Sequence, residues 1–358
     1  MKVFLDTNIF YNDWFMRNAN FKYLFHFINN EDYDFFISEL VIEEVENKRS
    51  QELKNKVNDL EKSIKNINKL SKIVIDYEVQ EFKNEDYDFL DLLEEKINNI
   101  SIISYENISQ KEVVQRALKH KKPFLQGEKG YRDTLIWLSF LEYIKLNKIE
   151  EDVVFITANK SDFFEPKSTN LEFYKELLND IEEREIKCSI NPFLSLSSFV
   201  ESTIDKQKHA IDYNNSDIEW YLENESISIL NVLSDSLIIE YLENVSYLNI
   251  DRLNFPNIES IHIELMEGLE DEEPIGSREL PNNEIYIQYE YNLRRVSIEI
   301  EINKLDYKNI YDRLHIIRED DNNLYLGAVV RIYYISSFIY NSETRVISDF
   351  VVNDFYFE

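Results

Sequence analysis

A short apolar strand that ends in a carboxylate is the feature that most constrains this sequence. The apolar run Val3–Leu5 stops abruptly at Asp6. This pattern predicts a buried strand of a parallel sheet, with Asp6 at the carboxyl end, where open α/β sheets bind their ligands. Three more acidic residues follow at the beginning of helices or at the end of a strand: Glu44, Asp133 and Asp162.

The first of these residues lies on a long predicted helix. Ser38 follows a short apolar strand and is a candidate N-cap. The helix that it opens carries Glu44 and is expected to extend to about Leu70.

The other two acids lie in a second strand and helix region. Asp133 is in the first turn of a predicted helix over 131–146. Asp162 is in the loop after a predicted buried strand over 153–157. Alternating strands and helices through residue 190 predict an α/β fold, with a parallel sheet flanked by helices.

The pattern changes after about residue 208, so we predict two domains, 1–208 and 209–358. A lead-in helix is expected over 217–232, and the acidic stretch Glu267–Glu273 is expected to be an exposed loop. Segments rich in Ile, Tyr, Val and Phe follow a period of two and predict a mainly antiparallel, sandwich-like β domain. These segments are 237–249, 259–265, 284–302, 324–339 and 344–357.

The charge is distributed unevenly. The chain carries a net charge of −30, with 32 acidic and 12 basic residues from Glu201 onward and 37 and 27 before it. The segment Lys48–Lys72 nevertheless holds eight Lys or Arg against three Asp or Glu. Such a segment suits a nucleic-acid partner, and it equally suits a solvated helix face.

Other features restrict the class of protein. No apolar run approaches the roughly 20 residues that span a bilayer, and the N-terminus lacks a secretory pattern, so no membrane association is expected. Cys188 is the only cysteine, which excludes an intramolecular disulfide. A cytoplasmic protein is expected.

Four motifs together resemble the PIN-domain nucleases. They are LDTN at 5–8, SELVIEE at 38–44, RDTLIW at 132–137 and TANKSDF at 157–163. The resemblance covers residues 1 to 190, and the long insertion between the second and third motifs is similar to a larger bacterial PIN-like subgroup that includes defence genes. Asn159 stands where an aspartate is common in the family.

The resemblance implies roles for these residues. Asp6, Asp133 and Asp162 would bind Mg²⁺ or Mn²⁺, and Glu44 would be a further ligand or orient the attacking water. Supporting hydrogen bonds would come from Asn8, Thr157 and Asn159. Candidate phosphate contacts are Lys121, Lys129 and Arg132, for which plain surface charge is an equal alternative. Hard divalent cations prefer the oxygen ligands that such residues offer.

Each acid also has a simpler interpretation. Asp6 can cap a strand end, Glu44 can be one of several exposed helix acids, Asp133 can favour a helix N-terminus, and Asp162 can form a turn. The occurrence of all four in order favours the site. No Walker-type loop, GxGxxG string or zinc spacing is present, and Asn8 lacks the second carboxylate that a haloacid-dehalogenase phosphatase needs.

These observations predict a metal-dependent endonuclease that acts on RNA in preference to DNA, with a toxin or defence role implied by resemblance alone. The alternative is a catalytically weak binding module, with the acidic β domain as a platform for a protein partner or as an autoinhibitory element.

Overall fold

The computed structural model describes residues 1–358 except 12, 32, 78–81, 83–84, 125–129, 167–170, 205–215, 249, 251, 253–254 and 308–313. The described residues fall into two compact units. Unit 1 comprises Met1–Arg17 and Leu24–Ser202, and unit 2 comprises Asn18–Tyr23 and Thr203–Glu358. The predicted domain boundary at residue 208 lies outside the described residues.

Unit 1 alternates strands and helices. Its strands are β1 (Lys2–Leu5), β2 (Asp34–Ser38), β3 (Ile100–Ile103), β4 (Val153–Ile156) and β5 (Ile190–Phe193). Its helices are α1 (Ala19–Asn30), whose first residues group with unit 2, α2 (Glu39–Leu70), α3 (Phe89–Glu94), α4 (Gln110–Leu118), α5 (Tyr131–Leu146), α6 (Lys160–Phe163), α7 (Lys175–Glu183) and α8 (Leu196–Thr203).

The strands of unit 1 form one parallel sheet in the order β3-β2-β1-β4-β5. The central strand β1 pairs with β2 and β4, and Leu5 is in register with Ile156. Since all strands run the same way, the residues that follow β1 and β4 emerge side by side at the carboxyl edge. The predicted parallel α/β fold is confirmed.

The core of unit 1 explains why these strands form. β1 and β4 are buried on both faces, as helix-covered parallel strands are, and their sequences are accordingly continuous apolar runs. Phe4 stacks on Phe155 with ring centroids 5.3 Å apart. Trp137 of α5 contacts Phe155 edge-on, with centroids 5.7 Å apart. Helix α5, which carries Asp133, is therefore fixed against the two central strands.

The described residues of unit 2 that follow Thr203 form an antiparallel sheet and helices. The helices are α9 (Ser216–Val232) and α10 (Asp235–Glu243). The strands are β6 (Ile258–Glu279), β7 (Glu284–Asn303), β8 (His315–Glu319), β9 (Asn323–Asn341) and β10 (Ile347–Phe357). The sheet order is β10-β9-β7-β6, with β8 also paired to β9.

The antiparallel part of the fold prediction is confirmed, and the sandwich-like layering needs correction. Within the described residues, unit 2 has one sheet, and α9 and α10 supply the apolar side chains that a second sheet would supply. Leu222 and Leu230 of α9 and Leu242 of α10 belong to the same buried cluster as the sheet residues Ile298 and Ile300. Helices replace a second layer because they carry enough buried apolar surface to cover the sheet.

Two segment predictions in unit 2 were wrong. The expected strand segment 237–249 is instead largely helix α10, because Ile238, Ile239 and Leu242 are buried at helical spacing. The expected acidic loop Glu267–Glu273 lies within strand β6. Its acids are accommodated there because arginines of neighbouring strands pair with them; Arg295 contacts Glu267 at 2.9 Å.

Within the described ranges, no helix combines the length and the apolar composition required to cross a bilayer.

Candidate active site

The site begins where the central strands end. The backbone N–H of Asp6 donates to the carbonyl of Ile156 at 3.0 Å, which extends the β1–β4 pairing by one residue. Thr157 follows Ile156, so its side chain emerges beside Asp6. The two residues predicted at adjacent strand ends thus meet at the carboxyl edge.

Asp6 is buried and held by neutral donors. Its residue is only 2% exposed. The Thr7 N–H donates to Oδ1 at 2.7 Å, the Thr157 hydroxyl to Oδ2 at 2.6 Å, and the Asn8 amide to Oδ2 at 2.9 Å. These bonds fix the carboxylate, and none of the three donors carries a charge to balance it.

Asn8 ties the two strand ends together. Its Oδ1 accepts the Ala158 N–H at 2.8 Å, while its amide also lies 3.3 Å from the Thr157 hydroxyl. The sequence motif LDTN therefore supplies both the carboxylate and the side chain that fastens it to the loop after β4.

Glu44 reaches the site from helix α2. The Ser38 hydroxyl accepts the Leu40 N–H at 3.3 Å, which confirms the predicted N-cap. Glu44 accepts the Thr7 hydroxyl at 3.2 Å and forms an ion pair with Arg132. Arg132, a predicted phosphate contact, is thus bound to a predicted metal ligand; its side chain is 54% exposed and that of Glu44 is 10% exposed.

Asp133 lies in the first turn of α5, next to the strand-end residues. The Asn159 amide donates to Asp133 Oδ1 at 2.9 Å and lies 3.5 Å from Asp6 Oδ2. One nitrogen therefore bridges the two carboxylates. Asn159 is itself placed by its backbone N–H, which donates to the Thr157 hydroxyl at 3.1 Å.

Asp162 lies at the rim of the site, on the short helix α6. It accepts the Ser161 hydroxyl at 3.0 Å. It has no recorded hydrogen bond to the other three acids in the described part of the chain, and its connection to them is electrostatic, through Asp133.

Burial and mutual repulsion raise the pKa values of the central acids. Burial, followed by the charge of Asp133, raises the pKa of Asp6 to about 7. Burial, followed by the charges of Asp162 and Glu44, raises the pKa of Asp133 to about 6. Because the ionised side chains of Asp6 and Asp133 repel each other, a bound cation would stabilise both.

The donor set suits a hard divalent cation, since it consists of carboxylate and amide oxygens without sulfur or imidazole. As the side chains stand, the described residues include no group of three or more His, Cys, Asp or Glu spaced to hold a metal ion. The reason lies in the contacts above: Arg132 binds Glu44, and the Asn159 amide lies between Asp6 and Asp133.

Lys121, a predicted phosphate contact, is engaged outside this cluster. Lys121 forms an ion pair with buried Asp180 at 2.7 Å. The same Asp180 also binds Arg116 and accepts the Trp137 indole N–H at 3.1 Å. Lys121 therefore has a structural partner in unit 1. Lys129 lies outside the described residues.

Tyr11 lies near the acids of the site, and the sequence did not predict this. Burial, followed by the charges of Glu44 and Asp6, raises its pKa to about 12, so its hydroxyl stays protonated beside the acids. The only signal in the sequence was its position three residues after Asn8, which is too weak to single out a tyrosine.

The fold and the site together define an α/β domain with carboxylates gathered at the carboxyl edge of its parallel sheet. Residues 3–163 match the family model of the PIN domain, a span that includes all four predicted acids. This part of the chain is therefore similar to the PIN domains, which are generally nucleases that use divalent metals. Searches of curated proteins and of solved structures returned no match.

Proposed function

We propose that the protein is a metal-dependent endonuclease that hydrolyses phosphodiester bonds, with RNA preferred over DNA. The observation that carries this proposal is a pair of carboxylates, buried Asp6 and half-buried Asp133, whose oxygens lie 3.5 and 2.9 Å from one Asn159 amide nitrogen. The raised pKa values, about 7 for Asp6 and about 6 for Asp133, mean that burial and repulsion disfavour the ionised carboxylates. A divalent cation would balance their negative charges.

The residues that would hold the metal are Asp6 and Asp133, with Glu44 and Asp162 as further oxygen ligands. A bound Mg²⁺ or Mn²⁺ supplies charge neutralisation at the phosphoryl oxygens and a more acidic water. The protein's own hydrogen bonds orient the ligands: Thr157 and Asn8 hold Asp6, and Thr7 holds Glu44.

Arg132 has a second role in this proposal. Its guanidinium pairs with Glu44, and its side chain, which is 54% exposed, would also be able to contact a substrate phosphate.

The first test is cleavage of single-stranded RNA, structured RNA and DNA with Mn²⁺ or Mg²⁺. Wild type is compared with Asp6→Asn and with Asp152→Asn, an exposed carboxylate at the opposite edge of the sheet. We expect cleavage by wild type and Asp152→Asn and none by Asp6→Asn. Equal cleavage by all three proteins contradicts the proposal, since a contaminating nuclease would give that result.

A second candidate is a binding module with little activity. The contacts that favour it are those from Arg132 to Glu44 and from Asn159 to Asp133, because they satisfy the acids with the protein's own groups. In this alternative the acidic C-terminal region would contact a protein partner. Thermal unfolding with Mn²⁺ separates the candidates. A nuclease gains stability that rises with the logarithm of the Mn²⁺ concentration above the dissociation constant, and a module that binds no metal does not.

A further inference from the structure

Helix α2 leads away from the candidate active site with an unusual set of side chains on one side. Starting from Glu44, the positions that share one face of the helix are three or four residues apart. They are Asn47, Gln51, Lys54, Asn58, Lys62, Lys65 and Lys69, and all seven are exposed. We call this set the lysine stripe.

The stripe lies opposite the packed face of α2. The buried residues of the helix, Val41, Val45, Arg49 and Val57, occupy the other side. Along the 25 residues from Glu44 to Lys69, the helix rises about 37 Å, at about 1.5 Å per residue. The stripe is therefore a continuous polar surface that begins at Asn47, about one helical turn after Glu44 of the candidate active site.

The charge of the stripe is unlike that of the whole chain. It contains lysines and amides without an acid, in a chain with a net charge of −30. The acids of this segment, Glu52, Asp59 and Glu61, lie at other helical positions. Only Lys62 has a recorded ion pair among the described residues of the stripe, with Asp59 at 3.1 Å. Such a surface complements a polyanion.

A concave surface accompanies the stripe. Lys54 and Asn58 form one side of an open cavity of about 440 Å³ that borders the stripe, and Arg49 and Val57 of the packed face line its other side. Its rim also carries Glu85, which pairs with Arg49, and Phe82, which is 40% exposed. An aromatic face beside an amide and a cation suits an unstacked base. The bases of a duplex are stacked inside, so this cavity favours a single strand.

We propose that the lysine stripe binds the phosphate backbone of the single-stranded nucleic acid whose scissile bond lies at Asp6 and Asp133. This inference rests on the proposed function and adds to it a path for the substrate. The strand runs along α2 from Glu44 toward Lys69, and Lys54, Lys65 and Lys69 supply the phosphate contacts.

The test measures binding apart from cleavage. Labelled single-stranded RNA is titrated with the full chain in EDTA, and fluorescence anisotropy is followed over a range of salt concentrations. The stripe variant carries Lys54→Gln, Lys65→Gln and Lys69→Gln. Glutamine keeps the helix propensity at these three exposed positions, so the stripe variant is expected to unfold at the wild-type temperature.

The matched control carries Lys145→Gln, Lys148→Gln and Lys187→Gln. These lysines are exposed and precede β4 or β5, at the opposite edge of the sheet, and their removal changes the net charge equally. Single strands contribute a salt slope of about 0.7 for each neutralised phosphate, so the slope is expected to fall by about two in the stripe variant and to stay unchanged in the control. Affinity for RNA is expected to fall about tenfold or more in the stripe variant alone.

The possible outcomes separate this inference from the nuclease assignment. If wild type cleaves RNA and the stripe variant binds RNA as tightly as wild type, the proposed RNA binding by the lysine stripe is wrong. The same conclusion follows if the stripe variant and the control variant lose affinity equally. Neither result affects the nuclease assignment. If wild type binds RNA through the stripe without cleaving any substrate, the nuclease assignment is wrong and the stripe is supported as a binding surface. If only the stripe variant shows a raised KM with an unchanged kcat, both are supported.

Discussion

The side-chain amide of Asn159 donates to the carboxylate of Asp133 across 2.9 Å, from the loop after β4 to the first turn of α5. Because the same nitrogen lies 3.5 Å from Asp6, one neutral group separates two carboxylates that repel each other. The residue at position 159 therefore determines how many negative charges the metal-free site must bear.

Replacing Asn159 with aspartate tests that relationship. Asn159→Asp adds a third charge between Asp6 and Asp133, so the metal-free protein is expected to unfold at a lower temperature than wild type. Mn²⁺ is expected to bind about tenfold more tightly, which corresponds to about 1.4 kcal/mol. Thermal unfolding over a Mn²⁺ titration measures both effects.

Asn159→Ala is the control for this change, because it removes the amide without adding a charge. It is expected to weaken the positioning of Asp133 and to leave Mn²⁺ affinity no higher than in wild type. An equal rise of affinity in both variants would show that the lost amide matters and the added carboxylate does not.

The sequence predicted the position of each acid because strand ends and helix starts leave local signals. An apolar run followed by Asp6, and Ser38 before a long helix, depend only on neighbours in sequence. Parallel pairing then brings the carboxyl ends together without further information. The local signals and the parallel pairing together predict that the acids lie near one another at this edge of the sheet.

The contacts between the acids could not be predicted in the same way. Arg132 pairs with Glu44 across 88 positions of sequence, and nothing local distinguishes it from an arginine free to bind phosphate. Segment 237–249 failed for another reason: a short apolar run fits a strand or a buried helix, and packing decides between them.

Thr157 is expected to stabilise the metal-free site through its hydroxyl. Thr157→Val keeps the shape and removes the 2.6 Å donor to buried Asp6, so the free energy of unfolding should fall by about 1–3 kcal/mol. Urea unfolding in the presence of a chelator measures the change.

Thr134 provides a matched control for this substitution. It is fully buried on α5, and its hydroxyl has no hydrogen-bond partner among the residues that the structure describes. Thr134→Val is therefore expected to be neutral or stabilising. If both variants lose the same stability, the loss belongs to the Thr-to-Val change itself and not to the bond with Asp6.

Gly130 is expected to be required for the start of helix α5. Its φ of +97° lies in the left-handed region, and an added Cβ would lie 2.5 Å from the Pro123 carbonyl oxygen. Gly130→Ala should lower the free energy of unfolding by more than about 1 kcal/mol. It should also displace Asp133, which lies in the first turn of the helix that Gly130 begins, enough to weaken Mn²⁺ binding. Urea unfolding and a Mn²⁺ titration check the two effects.

A glycine in unit 2 supplies the comparison for that experiment. The Cβ of Gly268→Ala would meet only the far end of the Glu223 side chain, which can turn aside. Its unfolding and Mn²⁺ response are expected to match wild type, and a similar loss in both variants would argue against a special role for Gly130.

Asp180 is expected to be a major contributor to the stability of unit 1. Burial alone would raise its pKa, but the bonds from Arg116 and Lys121 outweigh burial and lower the pKa. Asp180→Asn leaves the buried Arg116 without its counter-ion, which should cost about 3–5 kcal/mol. Glu112→Gln, which breaks the more exposed pair with Arg184, should cost less than about 1 kcal/mol. Equal losses in urea unfolding would contradict this ranking.

The stability of the metal-free protein is expected to depend on pH through Asp6. The pKa of Asp6 is about 7 in the folded state and about 3.9 for an ordinary aspartate in an unfolded chain. Between these values the folded state retains a proton that the unfolded state releases, so the free energy of unfolding falls as pH rises from about 4 to about 7. The fall amounts to about 1.4 kcal/mol for each pKa unit.

Chemical unfolding in a chelating buffer, compared between wild type and Asp6→Asn, isolates this contribution from the rest of the acidic chain. The free energy of unfolding of wild type minus that of Asp6→Asn should decline as pH rises from about 4 to about 7. The free energy of unfolding of Asp152→Asn should change with pH in parallel with that of wild type. With Mn²⁺ present the trend should reverse, because the metal binds the ionised carboxylate and its affinity increases as the proton leaves. Parallel curves for wild type and Asp6→Asn in the chelating buffer would mean that Asp6 is already ionised at pH 4, and that burial and Asp133 do not control its proton.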